Sequence, residues 1–218
     1  MMNGLKYLCF VFTFMCSLVH ADCFDKDTAL VNKLRAKNIK IIVLYNFEST
    51  NNVLNIVAAN RSPYYCLTAN GLANIQKDIP LFLVQNISRI CTAPSFRTQQ
   101  TTNLLGAAFN LHALNLVVDP RLGMQNFGDF EGTNYNVYKE SFGSEEDMLQ
   151  GTPPNGESGC AVFQRTDDFL NSLLVYKNQT ILIVSHAFNY CHICKVLTGE
   201  FPPIPTPGKF HIYDFTSP

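Results

Sequence analysis

Ile41-Ile42-Val43-Leu44-Tyr45-Asn46-Phe47-Glu48-Ser49 decides how this chain reads. Four apolar residues, three of them β-branched, run straight into a polar turn. A short apolar run of this kind predicts a strand buried in a parallel sheet. Ligands of open α/β sheets bind just beyond the carboxyl ends of such strands, so chemistry is expected at residues 45–48. Those four side chains include no Lys, Arg, His or Cys, and Phe47 stands where a tight turn favours glycine. The position suits a site, but its reactive groups are missing.

Outward from this strand, helical and strand patterns alternate. Residues 27–37 carry Ala29, Leu30, Leu34 and Ala36 among charges and predict an amphipathic helix before the strand. Residues 49–61 are Asn-rich, a turn with room for a short helix. Thr68 is a candidate cap for a helix over 69–79, stopped near Pro80. Residues 87–91 read as a second strand and 98–112 as a long, mostly buried helix. Leu116-Val117-Val118 gives a third strand, closed by Asp119-Pro120. Residues 123–154 are Gly-rich, acidic and irregular, an excursion over the sheet edge of the sort that carries function. Helical spacing returns over 160–176. A strongly strand-like run over 180–184 ends at Ser185-His186, and a helix over 188–197 stops at Gly199. Past a Pro-rich turn, 210–215 is an edge strand. The expectation is an α/β fold with a mostly parallel central sheet flanked by helices.

The 218 residues, 47% of them hydrophobic, suffice for one domain with a real core. A formal net charge of −1 gives no electrostatic case for nucleic acid, which needs a basic stripe. Lys6, an uncharged run over 7–19 and the small-residue site Val19-His20-Ala21 read as a signal peptide. Residues 1–21 are thus expected to leave, and 22–218 to form a single exported domain, periplasmic or secreted, without a stable membrane span. Cys23, Cys66, Cys91, Cys160, Cys191 and Cys194 remain, an even set that permits disulfides. Asn86-Ile87-Ser88 and Asn178-Gln179-Thr180 fit the glycosylation pattern.

Two strand ends carry polar groups, Asn46 with Glu48 and His186. Arg97 stands at the mouth of the 98–112 helix. A guanidinium beside a helix N-terminus suits an oxyanion or phosphate, against the alternative of a surface Arg paired with an acid. His186 suits either a binding role or a hydrogen-bonded structural one. Cys191, His192 and Cys194 invite a zinc reading. However, only the two cysteines share a helical face, so core thiols or disulfide partners are preferred and no metal is expected. Gly156-Glu157-Ser158-Gly159 is not a nucleophile elbow. No Gly-rich phosphate loop is present, and nothing calls for a cofactor.

In order, these stretches resemble the histidine phosphatase superfamily, the phosphoglycerate-mutase-like group, over residues 40–215. The family's Arg-His-Gly-Glu-Thr block reads Tyr45-Asn46-Phe47-Glu48-Ser49, with Asn52 matching a family asparagine. Leu67-Thr68, Gly71 and Gln76 follow the next block. Arg97-Thr98-Gln99-Gln100-Thr101 matches Arg-Thr-x-Gln-Thr. The stretch Leu122-Gly123-Met124-Gln125-Asn126-Phe127-Gly128-Asp129-Phe130-Glu131-Gly132 matches the block around the family's acid. Gly156-Glu157-Ser158 with Arg165 matches a further block, and Ile183-Val184-Ser185-His186-Ala187 the Val-Ser-His-Gly block.

The resemblance implies a phosphoryl-accepting His, two Arg and a second His on the phosphate oxygens, and a Glu that protonates the leaving group. Arg97 carries over as the second arginine and His186 as the second histidine. Tyr45 replaces the first arginine, Asn46 the nucleophile, and Met124 stands at the proton donor's position. Phe47 and Ala187-Phe188 replace small residues and imply a narrower pocket. Losing one transition-state donor costs about 10²–10³ in rate and losing the proton donor about 10²–10⁴, while losing the nucleophile removes the covalent route. The leading expectation is therefore a pseudophosphatase. It would keep a phosphate- or anion-binding pocket of Arg97, His186, Asn52 and Tyr45, or bind a protein. One alternative is a phosphomonoesterase with rewired chemistry through His186 and Arg97, with Asp129 or Glu131 as acid. Another is an interaction protein whose 123–154 excursion meets a partner.

Overall fold

The computed structural model describes residues 24–59 and 63–216; the expected leader lies outside them. Helix α1 (Thr28–Ala36) is capped by the Asp27 carboxylate, which accepts from the Leu30 N–H. It leads into β1 (Lys40–Tyr45), whose side chains after Lys40 are all buried. A single turn, α2 (Thr50–Val53), and helix α3 (Ala69–Leu83) follow. Next come β2 (Arg89–Thr92), α4 (Phe96–Ala108) and β3 (Leu116–Val118). The excursion contains two short helices, α5 (Tyr135–Glu140) and α6 (Glu145–Gln150). Helix α7 (Gly159–Ser172), β4 (Thr180–Ser185), α8 (Ala187–Thr198) and β5 (Phe210–Asp214) complete the chain.

The sheet order is β3-β2-β4-β1-β5, with β5 antiparallel to β1 and the other pairings parallel. Period-two alternation divides the core. Ile42, Leu44, Ile90, Leu182 and Val184 face α3 and α4, packing with Phe82 and Leu105. Ile41, Val43, Tyr45, Cys91, Ile181 and Ile183 face the opposite layer, which includes Leu34, Phe169 and Ile193. Central strands buried on both faces read as unbroken apolar runs, which is why β1 and β4 were conspicuous in the sequence.

The structure differs from the sequence reading at several boundaries. α3 continues through Pro80 to Leu83. Proline removes its own N–H from the ladder and crowds the carbonyl four residues back, but Ile75 and Phe82, on either side of the exposed Pro80, are both anchored in the core. α4 starts at Phe96, so Arg97 lies in its first turn, and α7 begins at Gly159 and ends at Ser172. Cys66, Cys91, Cys191 and Cys194 are free thiols, three of them buried, while Cys160 is disulfide-bonded. Among the described residues, no helix is long and apolar enough to cross a membrane, and no group of three His, Cys, Asp or Glu side chains is placed to hold a metal ion.

Candidate functional site

The parallel register of β1 and β4 pairs Tyr45 with Ser185, so Asn46 and His186 leave neighbouring strand ends side by side. The Asn46 N–H donates to the Ser185 carbonyl at 3.0 Å and fixes this arrangement. β2 lies on the other side of β4 and feeds α4. Ser95 caps α4 by accepting from the Thr98 N–H, and Thr98 Oγ1 donates to the Ala93 carbonyl at 2.7 Å. That turn brings Arg97 to His186. The three strand ends thus converge on Asn46, Arg97 and His186, all buried, with Arg97 only 2% exposed.

Arg97 Nη2 donates to the Ala58 carbonyl at 2.8 Å and contacts His186 Nδ1 at 3.3 Å. Arginine only donates, so His186 Nδ1 must be the acceptor. The neutral ring then carries its proton on Nε2, the tautomer dictated by its partner. Burial holds His186 well below the usual histidine range, and the Arg97 and Arg165 charges push the same way. Burial also lowers the Arg97 guanidinium, against Tyr45, Glu131 and Tyr65, which favour its charge. Arg97 belongs to none of the ion pairs among the described residues.

Three buried polar atoms at this junction have no protein partner: Arg97 Nη1, His186 Nε2 and Asn46 Oδ1. Asn46 Nδ2 is taken by the Phe47 carbonyl at 2.8 Å. Buried polar atoms are normally paired, so these three are candidates for contact with a ligand, although such atoms also occur elsewhere in the core, at Asn189 and His192 among others.

His186 borders a cleft of about 460 Å³, with Ser95, Met124, Asn126, Glu157 and Arg165 on its walls. Met124, at the position of the expected acid, therefore faces the same space as His186 and offers no proton. Glu157 and Arg165 hold each other through two hydrogen bonds of 2.8 and 3.1 Å.

Tyr45 and Asn52 form a second group. Asn52 Nδ2 donates to the Tyr45 phenol at 2.7 Å, and Asn52 Oδ1 accepts from the Ser49 N–H and hydroxyl. Both line a separate cavity of about 270 Å³ with Asn51, Asn55, Tyr135 and Thr206. Burial keeps the Tyr45 phenol protonated, against the Arg97 charge and the Asn52 hydrogen bond. The expected anion-binding residues thus fall into two hydrogen-bonded pairs, Arg97 with His186 and Tyr45 with Asn52.

The remaining candidates are occupied elsewhere. Glu48 accepts from Thr68 Oγ1 at 2.6 Å and Asn70 Nδ2 at 3.0 Å, tying the first turn of α3 to the β1 loop. Asp129 is exposed and accepts from Asn155 Nδ2. Both Glu131 oxygens accept from the Ala59 N–H at 3.0 Å, next to the carbonyl that holds Arg97. His192 sits among Phe24, Phe163 and Phe201, with Nδ1 on the Phe188 carbonyl at 2.8 Å.

The sequence reading had no role for Ser95 or for the Ala58 carbonyl. Ser95, three residues before Thr98, was visible as a helix cap. The carbonyl left no mark, because backbone acceptors carry no sequence signal.

The sequence matches the histidine phosphatase superfamily (branch 1) over residues 48–213. No curated protein sequence matches the chain. Its fold is similar to Bacillus stearothermophilus YhfR, at a TM-score of 0.66 and 18% identity, covering 80% of this chain and 90% of that one. A mycobacterial glucosyl-3-phosphoglycerate phosphatase in complex with VO3 aligns at a TM-score of 0.65 and 16% identity, covering 82% and 94%. The alpha-ribazole phosphatase from Shigella flexneri aligns at 0.56 and 24%, covering 72% and 78%. With the sequence match spanning most of the chain and a phosphoglycerate-mutase-like sheet carrying Asn46, Arg97 and His186 at adjoining strand ends, the chain belongs to the histidine phosphatase superfamily.

Proposed function

We propose that this is an exported pseudophosphatase: the phosphohistidine route is disabled, and a buried anion pocket centred on Arg97 and His186 persists. One observation carries the reading. Asn46 follows β1 directly, where the resemblance calls for the nucleophile, and its amide nitrogen is committed to the Phe47 carbonyl. An amide nitrogen has its lone pair delocalised and cannot form a phosphoryl intermediate.

The neighbouring groups do not replace it. The His186 lone pair is on Nδ1 and accepts from Arg97, so Nε2–H is a donor rather than a base or nucleophile. Met124 on the cleft wall supplies no proton. What remains is a cation with unpaired N–H groups in a buried setting, which is the equipment of an oxyanion binder. Residues 1–21, read as a signal peptide, support export.

The test is phosphomonoester hydrolysis by residues 22–218 across pH 4–9, using para-nitrophenyl phosphate with Arg97→Ala as the control. The expected result is no turnover above that control. Turnover that vanishes with Arg97 would establish the rewired enzyme instead. In that enzyme Glu131, close to the Ala58–Ala59 backbone, is better placed as acid than the exposed Asp129.

A further inference from the structure

The charge count of the pocket constrains what it can hold. Among the described residues, its one cation outside any ion pair is Arg97, with Nη1 free to donate. His186 contributes a neutral Nε2–H, because Nδ1 accepts from Arg97. Asn46 contributes an acceptor, Oδ1, which has no donor of its own. The other described charged or titratable groups acting here do not add positive charge. Arg165 is neutralised by Glu157, Tyr45 stays a neutral phenol, and the fields of Glu131 and Tyr65 at Arg97 favour its cation.

A dianion buried against one guanidinium would leave a full negative charge without a partner, which is heavily penalised in a dry site. It would also bring a second anionic oxygen towards Asn46 Oδ1, an acceptor that wants a hydrogen. A singly charged oxyanion balances Arg97, and a singly protonated phosphomonoester, which unlike a sulfate monoester or a carboxylate retains an O–H, can satisfy Asn46 Oδ1 as well. Resting on the anion-pocket reading, we infer that the ligand is a monoanion, with a sulfate monoester, carboxylate or singly protonated phosphomonoester preferred over a phosphomonoester dianion. Tyr45 lines the separate cavity, but its charge state is felt at Arg97, and through that field it contributes to this preference. At the place where the resemblance calls for the first arginine, it fills space and accepts a hydrogen bond from Asn52 without adding charge.

Phenyl sulfate and phenyl phosphate separate the cases, because they have similar shapes and only the phosphate loses a second proton, near pH 6 as phosphate monoesters do. Binding of each to residues 22–218 is measured by calorimetry from pH 5 to pH 8. Phenyl sulfate is expected to bind with nearly constant affinity. Phenyl phosphate is expected to match or exceed it near pH 5 and to weaken by about tenfold or more by pH 8. A phenyl phosphate affinity that holds or rises with pH overturns the monoanion inference while leaving the anion pocket standing. Binding of neither compound, or binding that survives Arg97→Gln, overturns the anion-pocket reading itself. In Tyr45→Arg, which supplies a second cation, the order at pH 8 is expected to reverse; an unchanged order in the folded variant overturns the charge argument.

Discussion

At the residue scale, Arg97 combines burial, charge and incomplete pairing. It holds one short hydrogen bond to Ala58, a longer one to His186, and no ion pair among the described residues. A buried ion left uncompensated costs several kcal/mol even after relaxation, whereas the carbonyl orphaned by its removal costs about 1–3 kcal/mol. Arg97→Met keeps much of the volume and removes the charge. Its expected stability is unchanged or higher by about 1–2 kcal/mol, raising the melting temperature by about 2–8 °C for a chain of this size, with anion binding lost. A thermal melt checks this, and a fall of several degrees would assign Arg97 a structural rather than a ligand-binding role. Arg97 was legible as a candidate site group, since an Arg opening a helix after a strand is a recognisable anion motif. Its partners were not. The tautomer of His186 and the grouping of Tyr45 with Asn52 depend on side chains meeting across loops, and sequence spacing does not encode that.

At the element scale, the stretch after β1 serves as a docking ledge for α3 as much as a reactive loop. The sequence reading placed Glu48 with the chemistry, but its carboxylate holds Thr68 and Asn70 and its carbonyl accepts the Thr68 N–H at 3.0 Å. The approach is so close that a Cβ on Gly71 would meet the Glu48 carbonyl oxygen at 2.2 Å. Neither partner is a flexible side-chain end, so relief requires moving α3 or the ledge. Gly71→Ala is expected to destabilise by about 1–3 kcal/mol despite alanine's better helix propensity, read as a lower urea midpoint. A neutral or stabilising result would mean that the helix tilts freely on the sheet. The strands and helix positions were predictable because buried parallel strands and amphipathic helices imprint their periods on the sequence. The end of α3 was misjudged because Phe82 anchors a turn that Pro80 would otherwise stop, a tertiary contact overriding a local signal.

At the scale of the whole molecule, buried titratable groups that stay neutral set the range of pH over which the fold is stable. Burial lowers His192 to about 4, overcoming the opposing hydrogen bond that its ring donates to the Phe188 carbonyl, and holds His186 well below its ordinary value. In the unfolded chain both take up protons below about pH 6.5. Between that pH and the folded values, the unfolded state therefore binds more protons, so stability falls as pH falls. For His192 alone the loss amounts to about 3 kcal/mol once pH reaches 4. Asp119 adds a lower step. Burial pushes its carboxyl up, but the Arg121 hydrogen bonds outweigh this and hold it below the usual range, so its contribution is present above about pH 4 and disappears as pH drops further. The alkaline side has the opposite sign with the same physical origin. Burial raises the Cys91 and Cys194 thiols to about 12 and about 11, and the Tyr135 and Tyr190 phenols to about 12. The unfolded chain releases the thiol protons above about pH 8.5 and the phenol protons above about pH 10, and the folded chain retains them, so stability declines again. Urea unfolding of residues 22–218 from pH 4 to pH 10 is expected to give a plateau between about pH 6.5 and 8.5, with a steeper acid limb. His192→Gln, which cannot charge, should flatten that limb even if it lowers the plateau, because it removes one of the two histidines that resist protonation. An acid limb of unchanged slope in the folded variant would mean that the ring, despite its position among Phe24, Phe163 and Phe201, takes up its proton without opening the core.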